Sequence, residues 1–92
     1  MTVYIDPLCW HGWQLYGRPV KNCHLFADGP LEELHQFAQG IGLKRAWFQD
    51  GSIPHYDLVA SMRAKAVASG AVEVDRDHAV ALRIKIRARK NL

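Results

Sequence analysis

Short apolar runs alternate along the chain with segments that have helical spacing. Four runs are typical of strands, because β-branched, aromatic and small apolar residues follow one another and then end at turn residues. These runs are residues 3–5, 23–27, 44–49 and 71–74. The segments between them have the apolar period of helices. The order β, β-α, β-α, β predicts a small single-domain α/β protein with a mainly parallel sheet of about four short strands and two or three helices.

The first helix is predicted to begin near residue 30. Asp28 is a favourable N-cap residue, and Pro30 suits the first turn. Glu32 and Glu33 complement the positive end of the helix dipole. An apolar face follows with helical spacing, formed by Leu31, Leu34, Ala38 and Ile41. Gly40 and Gly42 predict the end of this helix.

A second helix is predicted from Pro54 to Gly70. Its apolar face comprises His55, Leu58, Val59, Met62 and Ala66. This places His55, Tyr56 and Asp57 in the first turn, where free backbone N–H groups favour an anion. The alternative is structural: Asp57 complements the dipole, Tyr56 packs its ring, and His55 covers the edge of the core.

The segment from residue 78 to residue 92 fits either a helix or a strand. Asp75 or Asp77 can cap a helix over about residues 78–90. Against this, alternate positions are apolar, which is strand period: Val80, Leu82, Ile84 and Ile86. The helix is favoured because an acidic start and a basic end match the helix dipole.

Residues 7–22 are predicted to form a long, aromatic-rich loop. Glycine or proline interrupts this segment four times, and Trp10, Trp13 and Tyr16 lie between the interruptions. A loop of this composition typically folds onto the core or acts as a lid. Its tryptophans, like Trp47, can stack on a base or fill a small core.

Length and composition indicate one domain of a cytoplasmic protein. The 92 residues are 49% hydrophobic, which excludes disorder of the whole chain. The N-terminal residues do not have the pattern of a signal peptide, and no apolar stretch approaches the ~18 residues of a membrane span. Two cysteines, Cys9 and Cys23, are too few for a disulfide framework and predict reduced thiols.

Positive charge is concentrated at the C-terminal end. Residues 78–92 contain no acid and five basic residues, which are Arg83, Lys85, Arg87, Arg89 and Lys90. The rest of the chain has seven basic and nine acidic residues. The basic end can contact the phosphates of a nucleic acid, or it can be a solvated helix face.

Acidic and histidine residues come where the apolar runs end. Asp6 follows the first run, His24 and Asp28 flank the end of the second, and residues 55–57 follow the third. In a parallel sheet these ends share one edge, where open α/β sheets bind their ligands. The pattern therefore predicts a site at the carboxyl edge of the sheet.

Each candidate residue has a chemical role and a structural alternative. The candidates for catalytic acid–base work are His55, Tyr56, Asp57 and His24. Asp6 can hold a divalent metal, or it can simply end the first strand. Arg18 can clamp a phosphate or carboxylate, or it can pair on the surface. A four-ligand zinc site through Cys23 and His24 is not expected, because adjacent residues point to opposite faces of a strand.

Several short motifs, taken in order, resemble one known family. They are MTVYID at residue 1, YGR at 16, CHL at 23, AD at 27, ELH at 33, WFQ at 47, HYD at 55, AV at 66 and GA at 70. This combination is similar to the bacterial and phage proteins grouped as domain of unknown function 4031. The resemblance runs to about residue 74 and implies candidate positions without a chemistry. Members often have a second acid after Asp6 and Thr or Ser after Asp28, where this chain has Pro7 and Gly29.

Three functions are consistent with these features. The first is a site for a phosphate-bearing or other small anionic ligand, with metal-assisted hydrolysis as its reaction and a divalent metal as its cofactor. The second is a non-enzymatic nucleic-acid-associated module that uses the basic C-terminus. The third is an interaction module or homodimer, since a small sheet has open edges. The sequence leaves undecided whether the protein is an enzyme.

Overall fold

The computed structural model describes residues 2–51 and 53–90, apart from the side chain of Lys90. The strands are β1 (Val3–Ile5), β2 (Cys9–Leu15), β3 (Arg18–Ala27), β4 (Phe48–Asp50), β5 (Pro54–Val59) and β6 (Val72–Glu73). The helices are α1 (Leu31–Gly40), α2 (Ala60–Ala68) and α3 (Arg76–Lys90), and a 3₁₀ turn (Arg45–Trp47) precedes β4. The predicted α/β class is confirmed.

The six strands form one mixed sheet. Five of them lie in the order β4-β5-β3-β1-β6, and β2 pairs with β3 off this path. Among the described pairings only β1 with β6 is parallel. The prediction of a mainly parallel sheet of about four strands is therefore wrong. The reason is that the chain between β1 and β3 contains a hairpin, which reverses its direction, and no crossover helix.

The segment predicted as a long loop is the greater part of a β-hairpin. β2 and the first half of β3 pair antiparallel. At the tip, Tyr16 and Gly17 have φ of 52° and 76°, the left-handed conformation that a two-residue type I′ turn requires. Gly12, with φ of 85°, lies where the register shifts. The glycines that were interpreted as loop residues are thus the turn and the bulge of a hairpin.

Residues 54–59 form strand β5, although the sequence predicts the start of the second helix there. α2 begins only at Ala60. Tyr56 and Leu58 are buried, whereas Asp57 between them is only partly buried, which is the two-residue period of a strand. The predicted anion site at a helix N-terminus is therefore wrong, because these residues lie in a sheet.

The first helix is confirmed, but Asp28 is not its cap. The N-cap position of α1 is Pro30, and no side-chain cap is found there among the residues that the structure describes. The Asp28 carboxylate instead accepts a hydrogen bond from the backbone N–H of Thr2 at 2.8 Å and one from the hydroxyl of Tyr4 at 3.3 Å. These bonds hold the pKa of Asp28 below its usual range, the Thr2 bond being the larger cause. Asp28 thereby fastens the beginning of β1 to the end of β3.

The C-terminal segment is a helix, the favoured alternative. Asp75 is its side-chain cap, since its Oδ1 accepts the backbone N–H of His78 at 2.7 Å. The residues that pack inward have helical spacing and are Ala79, Leu82 and Ile86. Val80 and Ile84, which completed the strand-like alternation, are exposed. In the described part of the chain no helix combines the length and hydropathy needed to cross a membrane.

Two apolar cores lie on opposite faces of the sheet. Alternate residues of β3 separate them: Cys23 and Leu25 belong to the core with α1 and α2, and Phe26 belongs to the core with α3. The core under α3 is the smaller, formed by Phe26, Val74 and Ala79 with Tyr4, Leu82 and Ile86 at its margin. The arrangement has three layers, with the sheet between α3 on one side and α1 and α2 on the other.

We expect the two cysteines to differ sharply in reactivity. Cys23 is fully buried, and burial is the main cause that raises the pKa of its thiol to about 12. Cys9 is only partly buried. At pH 8, Ellman's reagent should therefore modify one thiol in the native protein and two in the denatured protein. A native Cys9→Ser variant that still reacts as fast as the denatured chain would contradict this packing.

Candidate functional site

Four predicted site residues meet on the side of the sheet that faces α3. The register of β3 against β5 places His24 directly opposite Asp57. Asp57 and His55 share a face because they are two residues apart on one strand. Asp6 comes directly after β1, next to His24, and its backbone N–H donates to the carbonyl of His24 at 3.3 Å. Strand pairing thus builds the cluster, which lies on a face of the sheet and not at its carboxyl edge.

Asp6 and His24 form a tight, buried pair. Asp6 is only 4% exposed. Its Oδ1 accepts the backbone N–H of His24 at 2.6 Å, and its Oδ2 lies 2.8 Å from His24 Nδ1. An ionised carboxylate can only accept, so Nδ1 of His24 carries the ring proton. In the neutral ring the free lone pair is therefore on Nε2, on the side away from Asp6.

Asp6 is ionised despite its burial. Burial alone would raise the pKa of this carboxyl. The side-chain and backbone hydrogen bonds from His24, followed by the charges of His24 and Arg83, outweigh that effect and hold the pKa below its usual range. The Arg83 guanidinium donates to Asp6 Oδ2 at 3.1 Å. α3 therefore contributes a positive charge to the same carboxylate oxygen that His24 Nδ1 contacts.

His55 is oriented in the same way as His24. Its Nδ1 lies 2.7 Å from the backbone carbonyl of Ile53, which can only accept, so Nδ1 carries the proton. Its Nε2 is 3.5 Å from Asp57 Oδ1, and Nε2 of His24 is 3.6 Å from the same oxygen. The two rings stand almost perpendicular, with centroids 5.2 Å apart. Both Nε2 atoms are thus directed at one carboxylate oxygen.

The charges of His55 and Asp57 stabilise each other. Hydrogen bonding to Asp57 raises the pKa of His55 above its usual value, and this effect outweighs burial. Burial would raise the pKa of Asp57, but the hydrogen bond and charge of His55, with smaller contributions from Gln49 and His24, bring that pKa below its usual range. At neutral pH Asp57 is a carboxylate.

Two amide side chains hold Asp57, and neither was a predicted site residue. Gln49 donates from Nε2 to Asp57 Oδ2. Asn22, 2% exposed, donates from Nδ2 to Asp57 Oδ1 at 3.5 Å, and its own Oδ1 lies 2.7 Å from Nδ1 of His11. Asn22 lies two residues before His24 on the same strand. The two-residue period of a strand would therefore have placed it on the same face as His24. Finding Gln49 requires β5 to be recognised as a strand.

A cationic cavity adjoins the two histidines. It has a volume of about 270 Å³ and is lined by His24, Gly51, Ile53, His55, Arg83 and Arg87. The Nε of Arg83 has no hydrogen-bond partner among the residues that the structure describes. This cavity therefore combines two imidazoles with two guanidinium groups, a composition that suits an anion.

The remaining predicted site residues lie elsewhere. Tyr56 is on the opposite face of the sheet, 1% exposed, and its hydroxyl lies 2.7 Å from Nδ1 of His35. Burial lowers the pKa of His35, which is the reverse of what occurs at His55. Arg18 is at the hairpin tip, six residues along β3 from His24 and so about 20 Å away. The structure brings together Asp6, His24, His55 and Asp57, and it separates Tyr56 and Arg18 from them.

We expect Arg83→Met to lower the free energy of unfolding by about 1–2 kcal/mol, because the buried Asp6 carboxylate loses a charged partner. The pKa of Asp6 is lowered in the folded state, so the stabilisation by its ionised form is present above the unfolded pKa and is lost only as pH falls through the folded pKa. Urea denaturation should therefore give the same loss at pH 7 and at about pH 5.

The matched control is Arg87→Met, one turn further along α3 on an exposed residue. It should change the free energy of unfolding by less than about 0.5 kcal/mol. Equal losses in the two variants would show that the Arg83 contact with Asp6 does not stabilise the fold.

The comparisons with known proteins are consistent with this description and add no chemistry to it. A search of curated proteins and a search of solved structures found no match. One family model matches residues 3–86, nearly the whole of the chain, and its description is "Protein of unknown function (DUF4031)". The resemblance inferred from the short motifs is confirmed, and the chain belongs to this family of unknown function.

Proposed function

We propose that the protein is a metal-dependent hydrolase whose divalent transition metal is bound by His24, His55 and Asp57. The observation that carries this proposal is the convergence of ligand atoms. One atom from each of the three residues lies within 4.8 Å of the others. Two histidines and a carboxylate that leave further coordination positions open are a common ligand set for catalytic metals.

The orientation of both rings supports a metal site. A histidine ligand almost always donates its other N–H to a carboxylate or a backbone carbonyl, which fixes the tautomer and raises the basicity of the ligand nitrogen. Asp6 takes this role for His24, and the carbonyl of Ile53 takes it for His55. Gln49 similarly holds Asp57 Oδ2 and leaves Oδ1 facing the imidazoles. In this proposal Asp6 is a positioning residue and not a ligand.

The ligand types favour a transition metal over Mg²⁺ or Ca²⁺. Imidazole nitrogen suits zinc, iron, copper and nickel, whereas the two harder cations prefer an all-oxygen set. A zinc-like ion supplies two things to hydrolysis: it polarises the bond to be broken, and it lowers the pKa of bound water to about 7. This chain then has to bind and orient the substrate beside the metal.

The cavity next to the histidines favours a phosphate-bearing substrate. Arg83 and Arg87 line it. Arg87 can offer the fork of its guanidinium to the oxygens of a phosphate, and Arg83, which also donates to Asp6, adds its positive charge. Hydrolysis of a phosphate ester would add water to phosphorus, break the bond to the ester oxygen, and leave a proton on the departing alcohol. Positive charge on α3 would stabilise the oxygens as negative charge develops on them.

The basic C-terminus gives less support to the alternative of a nucleic-acid module without enzymatic activity. Arg83 is directed at Asp6, and Arg89 donates to the backbone carbonyl of Asp28 at 2.9 Å. Two of the five basic side chains therefore have partners within the protein. These contacts occupy part of the basic surface, which leaves a smaller electrostatic footprint for tight binding of a nucleic acid.

The test is a titration of the metal-free protein with Co²⁺, followed by its visible absorption and by calorimetry. We expect one equivalent to bind. His24→Ala and His55→Ala should each weaken binding at least 100-fold, and Asp6→Asn should weaken it about 10- to 100-fold. His78→Ala removes an exposed histidine outside the cluster and should have no effect. Absence of stoichiometric binding, or an equal loss in His78→Ala, would overturn the proposal.

Acid should weaken metal binding, and the pKa of His55 should set the pH at which the affinity begins to fall. Metal must displace a proton from the histidine, and Asp57 raises the pKa of His55 above its usual value of ~6.5. Cobalt affinity should therefore begin to fall already near neutral pH and then decrease by roughly tenfold per pH unit for each proton that the metal displaces. An affinity that stays constant from pH 8 to pH 5.5 would show that the histidines are not ligands.

Activity is tested separately with the cobalt- or zinc-loaded protein and bis(p-nitrophenyl) phosphate. Release of p-nitrophenol should require the metal and should be lost in His55→Ala. Arg87→Met should raise KM more than it lowers kcat if this arginine binds the phosphate in the ground state. A metal-loaded protein that releases no p-nitrophenol from this ester or from the corresponding monoester would leave a metal site without the proposed hydrolysis.

A further inference from the structure

A second, apolar cavity is lined in part by Asp57 of the proposed metal centre. Its volume is about 530 Å³, which is within the range of small-molecule sites. Trp13 comes from the hairpin and Trp47 from the 3₁₀ turn, and β5 and α2 contribute Val59 and Met62. We call this cavity the tryptophan slot.

The slot leaves large aromatic surfaces in contact with solvent. Trp13 is 38% exposed and Trp47 is 48% exposed, while aromatic residues such as Phe26 and Tyr56 are fully buried. The sequence allowed these tryptophans to be either core residues or stacking residues, and their exposure favours stacking. The indole rings offer flat apolar faces, on which a base or another planar ring can stack.

The slot is continuous with the proposed metal centre. Asp57 and Gln49 line its polar end, and Asp57 is also one of the three converging ligands. His24 and His55, the other two converging ligands, line the cavity that contains Arg83 and Arg87. The proposed metal centre therefore adjoins an apolar aromatic compartment through Asp57 and a cationic compartment through the two histidines.

We propose that the substrate is a nucleoside phosphate, bound with its base in the tryptophan slot and its phosphate beside the metal and the α3 arginines. A nucleotide has the same order of chemistry as the site: a planar ring, a polar sugar and an anionic group. A free nucleotide and the end of a single strand share this chemistry. The proposal rests on the proposed metal-dependent function, and it adds the class of substrate.

A different occupant would leave part of the surface unexplained. An apolar peptide or acyl chain would fill the slot but would place no negative charge near Arg83 and Arg87. A simple phosphate ester would use the arginines but not the exposed indole faces. Only a ligand with a ring at one end and a phosphate at the other complements both compartments.

The test is calorimetric binding of adenosine 5′-monophosphate to the zinc-loaded protein, compared with ribose 5-phosphate. We expect the nucleotide to bind at least tenfold more tightly. Trp13→Ala and Trp47→Ala should weaken nucleotide binding about 5- to 150-fold, the usual contribution of stacking on one base. They should leave the affinity for ribose 5-phosphate and for Co²⁺ unchanged. Trp10→Ala, which removes an exposed hairpin tryptophan outside the slot, is the matched control.

Conservative variants distinguish the loss of a stacking ring from the loss of the folded structure. Trp13→Phe and Trp47→Phe keep a stacking ring and should retain most of the nucleotide affinity, with circular dichroism confirming the fold. A single-stranded hexanucleotide with a terminal 5′-phosphate distinguishes the two sources of ligand. Binding at least tenfold tighter than that of the mononucleotide would assign a strand end, and equal binding would assign the free nucleotide.

The two proposals fail in different ways. Equal binding of nucleotide and ribose 5-phosphate, unaffected by either slot variant, would overturn the base-binding slot while cobalt binding still supports the metal centre. Loss of cobalt binding from the wild-type protein would overturn the metal function itself. Nucleotide binding that depends equally on Trp10 would show adventitious stacking on the hairpin and would also overturn the slot.

Discussion

The register between β3 and β5 is the constraint on which the candidate site depends. It places His24 opposite Asp57. Because side chains two residues apart on a strand share a face, His55 and Asn22 lie on that same face. Tyr56 and Leu58 occupy the other face and fill the larger core. A shift of one residue would exchange the two sets, burying the polar cluster and exposing the core. The hydrophobic pattern that stabilises the fold therefore also fixes the geometry of the cluster, and no separate device is needed to align it.

The sequence predicted which polar residues come together better than it predicted how they meet. Asp6, His24, His55 and Asp57 were recognised as polar residues at the ends of apolar runs, and the structure brings them together. The expected reason was a shared edge of a parallel sheet, whereas the actual reason is antiparallel pairing. Strand order and direction depend on the hairpin, and its turn glycines are equally compatible with a loop when only local sequence is considered.

The errors at residues 54–59 and 7–22 have one physical origin. A short segment with apolar residues at several spacings satisfies both the helical and the strand period, and only its neighbours decide between them. For residues 54–59 the deciding neighbours are β4, which precedes β5 across a short turn, and β3, which is distant in sequence. α1 was easier because it is ten residues long and its apolar residues have helical spacing. For α3 the acidic start and basic end favoured the helix over the strand alternative. Strand pairing that local sequence does not reveal therefore accounts for the omission of Gln49, and a contact remote in sequence accounts for the omission of the bond from Arg83 to Asp6.

The bond between Arg83 and Asp6 joins residues 77 positions apart. During synthesis the first strand, the hairpin and both early helices emerge before Arg83 does, because translation proceeds from the N-terminus at about 5–20 residues per second. Until α3 follows, Asp6 has His24 as its partner but lacks its guanidinium, and the Phe26 side of the sheet has no cover. The cluster can therefore be completed only after α3 has been synthesised, which comes after synthesis of the strands and of the other two helices.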